Sequence, residues 1–297
     1  MKKSIKNIFK GIKVVVYSIL TIVICIVYFV IDIIKRKKRY IANNHRTDEA
    51  IVLGNGPSLN DIDIASLKTK GIKICCVNYF PLKKQEVFFD IKPEYLCLMD
   101  PGFFDYTIEA EKKDYEAFLD VLNKVKWKLE IIAPAGKRLP IENTYITYEW
   151  INTHKISYCS SDMLNFFLYK HNLALPGLQN VTIGGLYYFL TANFKKIYIG
   201  GVDMSDFKNL YVDENNRVYV DSTHSYGSTR YYYDEMQECG IVEFAPILGA
   251  YQRMFVEFKQ LSKYAKYLGI EVVNLSINSY IDVFKKEYPR IIFNTEE

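Results

Sequence analysis

The sequence predicts an α/β protein. It has a doubly wound, mostly parallel sheet, a lid insertion and an apolar helix at its N-terminus. Three observations predict this. Short apolar runs rich in Val, Ile and Cys recur along the chain, separated by longer segments of helical period. Strands written as continuous apolar runs belong to parallel sheets covered on both faces. Small and polar residues follow most of these runs, which is where ligands collect in such sheets.

The first element is the N-terminal helix. Residues 14–34, VVVYSILTIVICIVYFVIDII, are almost uninterrupted apolar sequence. As a helix they reach about 30 Å, the thickness of a bilayer core. Lys2, Lys3, Lys6, Lys10 and Lys13 precede them, and Lys35, Arg36, Lys37, Lys38 and Arg39 follow. Basic clusters on both sides favour lipid headgroups and leave the orientation open. No small-residue cleavage site follows. The expected organisation is a basic tail over 1–13, a single-pass transmembrane anchor over 14–34, a basic linker over 35–48 and a catalytic domain over 49–297. That domain is expected on the cytoplasmic side.

Candidate strands fall at 50–53, 72–77, 95–99, 129–133, 145–148, 196–200 and 271–275. Candidate helices fall at 61–68, 107–124, 161–171, 185–193 and 250–268. Residues 204–244 interrupt the alternation with polar, tyrosine-rich sequence. An insertion of that length reads as a lid. Within it Asn215-Asn216 is expected to turn a hairpin pairing 210–212 with 218–220.

Composition narrows the chemistry. The net charge of +4 is small and sits mainly in the first forty residues, so nucleic acid is not an expected partner. The six cysteines lack zinc-site spacing and read as reduced thiols, with Cys75 and Cys76 on opposite faces of one strand. No Gly-x-Ser-x-Gly elbow is present. Asp61-Ile62-Asp63 has the form of a metal-binding D-x-D but falls at a helix start, where Asp caps. No metal is expected.

The residues after the strands outline the candidate site. After the first comes Gly54-Asn55-Gly56-Pro57, then Asn78, Asp100-Pro101-Gly102, Gly201-Val202-Asp203 and Ser276-Ile277-Asn278-Ser279. The first loop lacks the signatures of a dinucleotide fingerprint and a Walker loop. Its glycines are expected to bring backbone N–H groups up to an anion. In the lid, His224 sits among hydroxyls in D-S-T-H-S-Y-G, and an imidazole suits a general base on a sugar hydroxyl. His154 and His171 read as surface residues.

Several of these segments, taken in order, resemble bacterial sialyltransferases of glycosyltransferase family 42. They are G-N-G-P-S-L, Cys76-Val77-Asn78, Y-L-C-L-M-D-P-G-F-F, V-T-I-G-G-L, K-K-I-Y-I-G-G-V-D-M, D-S-T-H-S-Y-G and V-V-N-L-S-I-N-S, spanning 50–279. The resemblance implies a GT-A-like variant of a Rossmann-like fold, a CMP-activated sugar donor, inversion at the anomeric carbon and no metal or further cofactor. It implies a glycan or glycolipid acceptor. By position it assigns Gly54, Asn55, Gly56, Pro57, Asn78, Asp100, Thr182, Gly184 and Asp203 to the donor, and Tyr211 to the leaving phosphate. The sequence departs from the family at three places. Asp100 stands where Asn is usual, Ser205 where a second tyrosine is usual, and Ser228 where the family base falls. That leaves His224 as the candidate base. Asp100-Pro101 also resembles MptE-like proteins, which implies as an alternative a Mg²⁺-dependent phosphotransferase with Asp100 and Asp203 as ligands. A nucleotide-sugar-binding membrane protein without activity is the third reading.

Overall fold

The computed structural model describes residues 2–34, 47–104, 112–156, 159–235 and 242–289. The basic linker, the start of the helix expected over 107–124, and Cys239 lie wholly or largely outside them. Helix α1 spans Lys2–Ile34. Its Asn7–Tyr28 stretch is long and apolar enough to cross a membrane.

Eight strands form one parallel sheet. They are β1 (Glu49–Leu53), β2 (Lys73–Val77), β3 (Tyr95–Cys97), β4 (Leu129–Pro134), β5 (Ile146–Ile151), β6 (Lys196–Gly200), β10 (Glu271–Asn274) and β11 (Lys285–Lys286). Their order is β11-β10-β6-β1-β2-β3-β4-β5, and every pairing is parallel. The chain therefore lays strands outward from β1 to β5, then crosses back to add β6 on the other side of β1. Strand order reverses between β1 and β6.

Both faces of the sheet are covered. Ala50, Val52 and Cys75 enter one core, with helices α6 (Asp162–Lys170), α7 (Val181–Thr191) and α8 (Phe244–Leu268). Ile51, Leu53 and Cys76 enter the other, with α2 (Ile64–Thr69), α4 (Gln85–Ile91) and α5 (Lys112–Asn123). Cys75 and Cys76 thus face opposite ways, as the period of two requires. Helix α7 is apolar all round because it crosses the middle of the sheet and nine of its eleven residues are buried.

Local structure departs from expectation in places. The helix expected over 61–68 is a 3-10 turn, Pro57–Asp61, followed by α2. Asp63 caps α2 by accepting from Ser66 N–H at 3.2 Å, so capping accounts for this part of the D-x-D. Helix α7 begins four residues before the expected 185, and α8 six before the expected 250. Helices α3 (Phe80–Lys83) and α4 were not legible, because each is too short to show a helical period. Between β6 and α8 lies a separate antiparallel sheet of β7 (Leu210–Val212), β8 (Val218–His224) and β9 (Gly227–Tyr232). The expected hairpin is present in register, Leu210 opposite Val220 and Val212 opposite Val218; β9 extends it.

Candidate active site

A cavity of about 160 Å³ opens where the strand order reverses. Its floor is the loops after β1, β2 and β6, one wall is the start of α7, and the end of β8 closes it from above. This is the crevice at which doubly wound sheets hold ligands. A second cavity of about 450 Å³ adjoins it, and the two share Asn180, Met204, Asp206 and Tyr251.

The Gly-Asn-Gly-Pro loop does not offer its glycine N–H groups to a ligand. Gly54 N–H donates to Gly200 O and Gly56 N–H to Gly201 O, both at 2.8 Å. The glycines instead let two strand-end loops touch. A Cβ on Gly54 would lie 2.4 Å from Gly201 O, and one on Gly56 2.1 Å from Asp203 Oδ2. Gly201 has φ +66°, so it needs glycine for its backbone as well. Ser58 donates to Asp203 Oδ2 from its N–H at 3.1 Å and its hydroxyl at 2.9 Å. Ser276 Oγ lies 2.7 Å from Ser58 Oγ and accepts from Val202 N–H at 3.1 Å. The expected anion cradle is thus a brace joining the ends of β1, β6 and β10.

Asn55, Asn78, Asn180, Asp203 and Asp206 are among the residues lining the cavity. Asn55 Nδ2 donates to Val77 O at 3.4 Å, which turns its amide oxygen away from that bond. The amide oxygens of Asn55 and Asn78 are both buried without a partner among the described residues. Asn78 holds φ +49° and Met204 φ +53°, so two non-glycine residues at the rim carry left-handed backbone of the kind that clusters at functional sites. Asp203 and Asp206 add two carboxyls, each pushed above its ordinary value, mainly by burial. No Lys or Arg among the described residues lines this cavity. Among the described residues, a positive feature of the wall is the N-terminus of α7, where Asn180 Oδ1 caps Thr182 N–H at 2.9 Å.

The lid supplies the titratable side chain. Ser225 N–H donates to Asn55 O at 2.8 Å, and Asn60 Nδ2 donates to Ser225 O at 3.3 Å, so the β8–β9 turn is fastened to the loop after β1. This holds His224 over the cavity. Its Nε2 lies 3.3 Å from Ser222 Oγ, and the Ser222 hydroxyl donates to Asp206 Oδ2 at 3.1 Å. The His224 ring stacks on Tyr226, centroids 5.0 Å apart. With the serine proton committed to Asp206, its oxygen can accept from His224 in the tautomer protonated at Nε2, which leaves the imidazole lone pair on Nδ1.

No family model matches the chain, and no curated protein matches it. Among solved structures it is similar to the MAf glycosyltransferase from Magnetospirillum magneticum AMB-1, at 15% identity and a TM-score of 0.46. The match covers 86% of this chain and 36% of that one, so the chain spans about a third of that protein's length.

Of the residues the sequence singled out, Gly54, Asn55, Gly56, Pro57, Asn78, Thr182, Asp203 and His224 line the cavity. Three do not. Asp100 is exposed and accepts from Gly102 N–H at 2.9 Å, capping its own 3-10 turn. Gly184 lies inside α7, where a Cβ would come 2.7 Å from Met99 Cγ; it serves helix–sheet packing. Tyr211 is exposed on β7 and stacks on Tyr219, centroids 5.3 Å apart. Ser228 is exposed on β9 and donates to Thr223 Oγ1 at 3.2 Å. Sequence reasoning missed Asp206, Ser222, Asn180 and Tyr251. Asp206 follows Asp203 by three residues, a signal available in the sequence. Tyr251 comes from α8, and no local pattern tied it to the cleft. Among the described residues, no three His, Cys, Asp or Glu side chains gather as a metal site.

Proposed function

We propose that this chain is a membrane-associated glycosyltransferase. It would move a sugar from a CMP-activated donor to a hydroxyl of a surface-glycan acceptor, with inversion and without a metal, in the manner of the sialyltransferases its motifs resemble. One observation carries the reading. A lid imidazole, oriented by Ser222 and Asp206, is held over a cavity at the reversal of strand order.

The chemistry follows from the donor set. Asn55 and Asn78 line the smaller cavity, and their buried, unpartnered amide oxygens, once turned toward it, would accept from ligand N–H and O–H groups such as ribose hydroxyls or a base amino group. The smaller cavity would take the nucleoside, and the adjoining larger one the sugars. His224 Nδ1 would remove the acceptor hydroxyl proton as that oxygen bonds to the anomeric carbon. The bond from that carbon to the phosphate oxygen breaks, and the nucleotide leaves with the electron pair. In place of Tyr211, Tyr251 is the phenol on the wall of both cavities, with its oxygen 3.4 Å from Tyr233 Oη. It would donate to the leaving phosphate.

A thermal-shift screen of the full chain in detergent against CMP, UDP, GDP and ATP tests the nucleotide. Stabilisation by CMP alone supports the proposal; stabilisation only by ATP with Mg²⁺ sinks it in favour of the phosphotransferase. That alternative is not supported by Asp100, which is not part of the cavity wall. The binding-only reading draws on Ser228, the family's base position, being exposed away from the cavity. It predicts CMP binding with neither transfer nor donor hydrolysis.

A further inference from the structure

Helix α1 is sorted into two faces along its length. Among the described side chains between residues 14 and 31, the ten exposed ones are all Val, Ile or Leu. The seven that are not exposed are Val14, Tyr17, Ser18, Thr21, Cys25, Tyr28 and Ile31. All the Ser, Thr, Cys and Tyr residues of this stretch are in that second set. Ser18, Thr21, Cys25 and Tyr28 recur at spacings of three and four, one stripe of a helix.

The stripe is covered by the chain's own α/β body. Ser161 N–H donates to Ser18 Oγ at 2.9 Å, Tyr28 stacks on His154 with centroids 3.9 Å apart and planes within 4°, and Cys25 packs against the core that holds α6 and α7. Thr21 is 2% exposed. His154, read from sequence as a surface residue, is half-buried here.

We propose that α1 lies in the plane of a membrane surface. Its stripe would be seated on the α/β body and its aliphatic face sunk into lipid, so that it does not cross the bilayer. The seat runs from Ser18 to Tyr28, about 15 Å of helix axis. That is about half a hydrocarbon core. A crossing helix that kept this seat would draw the region of His154 and Ser161 to that depth. The next residue, Asp162, is ion-paired to Lys263 at 3.0 Å, with both side chains more than 40% exposed. Hydrocarbon does not tolerate that pair. An in-plane helix keeps it in water and still buries ten aliphatic side chains. The lysines in its first turns and the basic run that follows it in sequence would then both meet anionic headgroups from one side. Lipid is the occupant because the exposed face is aliphatic among the described side chains and is flanked by basic sequence at both ends. This proposal is independent of what the cleft transfers.

The test uses the full chain with a short epitope at each terminus, expressed in cells. Sealed spheroplasts and inverted vesicles are then treated with an impermeant protease. The expected result is that both epitopes share one fate, both cut in one preparation and both protected in the other. Opposite fates mean that the helix crosses, and overturn the proposal. Co-flotation with vesicles containing an anionic lipid supplies the second measurement. The wild-type chain is expected to float, and the variant Val23→Lys/Val27→Lys to lose binding by on the order of tenfold or more. A variant that floats as well as wild type, or a wild-type chain that stays in the soluble fraction, overturns lipid as the occupant.

Discussion

The amide of Ser225 and the carbonyl of Asn55, 2.8 Å apart, join the lid to the loop that floors the cavity. The bond links an insertion to a strand end 170 positions earlier in the chain. It sets how far His224 stands above the cleft. Ser225→Pro removes the donor, and Asn60→Ala removes the companion contact to Ser225 O. A net hydrogen bond contributes about 1 kcal/mol, so each variant should weaken CMP binding about fivefold. Isothermal titration with CMP measures it; unchanged affinity in both would mean the lid contributes nothing to nucleotide binding.

His224, Ser222 and Asp206 should differ in effect when removed. His224→Ala should lower kcat roughly a hundred- to ten-thousandfold, the range for loss of a general base. Ser222→Ala keeps the imidazole but loses its orienting contact, and should cost about fivefold. Asp206→Asn, beside it, should lower kcat while leaving the KM for donor nearly unchanged. Transfer assays at saturating donor decide this, and an undiminished rate in His224→Ala rejects the base assignment.

Gly56→Ala should damage the fold and the site together. Its Cβ would meet Asp203 Oδ2 at 2.1 Å and Gly201 O at 2.7 Å, and one of these neighbours is backbone. The expected loss is about 1–3 kcal/mol in urea unfolding, the usual cost of overpacking. Gly11→Ala is the matched control, because nothing lies within 4 Å of its added methyl.

Asp203→Ala should destabilise more than Asp203→Asn. The carboxyl accepts two bonds from Ser58, and the alanine leaves the Ser58 N–H without its partner at a cost of about 1–3 kcal/mol. The asparagine can keep one acceptor. Equal stabilities by chemical unfolding would show that the brace between β1 and β6 does not depend on this carboxyl.

Glu149 offers a pH test away from the cleft. It is 7% exposed on β5, its Oε2 is buried without a partner among the described residues, and burial pushes it from 4.5 up to about 7. The folded state therefore holds this proton where the unfolded state has released it. The linked stability is fully present below about pH 4.5 and is lost as pH rises to about 7. Glu149→Gln should flatten that part of the profile and raise the melting temperature at pH 8. A parallel profile for the two proteins would remove Glu149 as its source.

Much of the fold was legible in the sequence because each strand carries its own signal. The runs at β1 and β2 are buried on both faces and, after one leading Glu or Lys, are written only in Val, Ile, Leu, Cys and Ala. Cleft residues after the strands were legible for the same reason, since strand ends locate the crevice. Tyr211 and Asp100 lie outside the cavity lining, because position along the chain does not fix where a side chain points. Tyr211 stacks along the surface of its small sheet, and Asp100 is used up in capping its own turn.

By itself, the sequence determined the alternation of strand and helix, the hairpin in the lid and the apolar helix at the N-terminus. These rest on local periodicity and turn chemistry. Tertiary structure alone decided that β6 returns to lie beside β1, and that the glycines serve that contact and not an anion. It also decided that Asp206 reaches His224 through Ser222, and that the polar stripe of α1 has a seat. Each of these joins residues far apart in the chain or depends on the direction of a side chain, and no local pattern encodes a partner that only folding brings near.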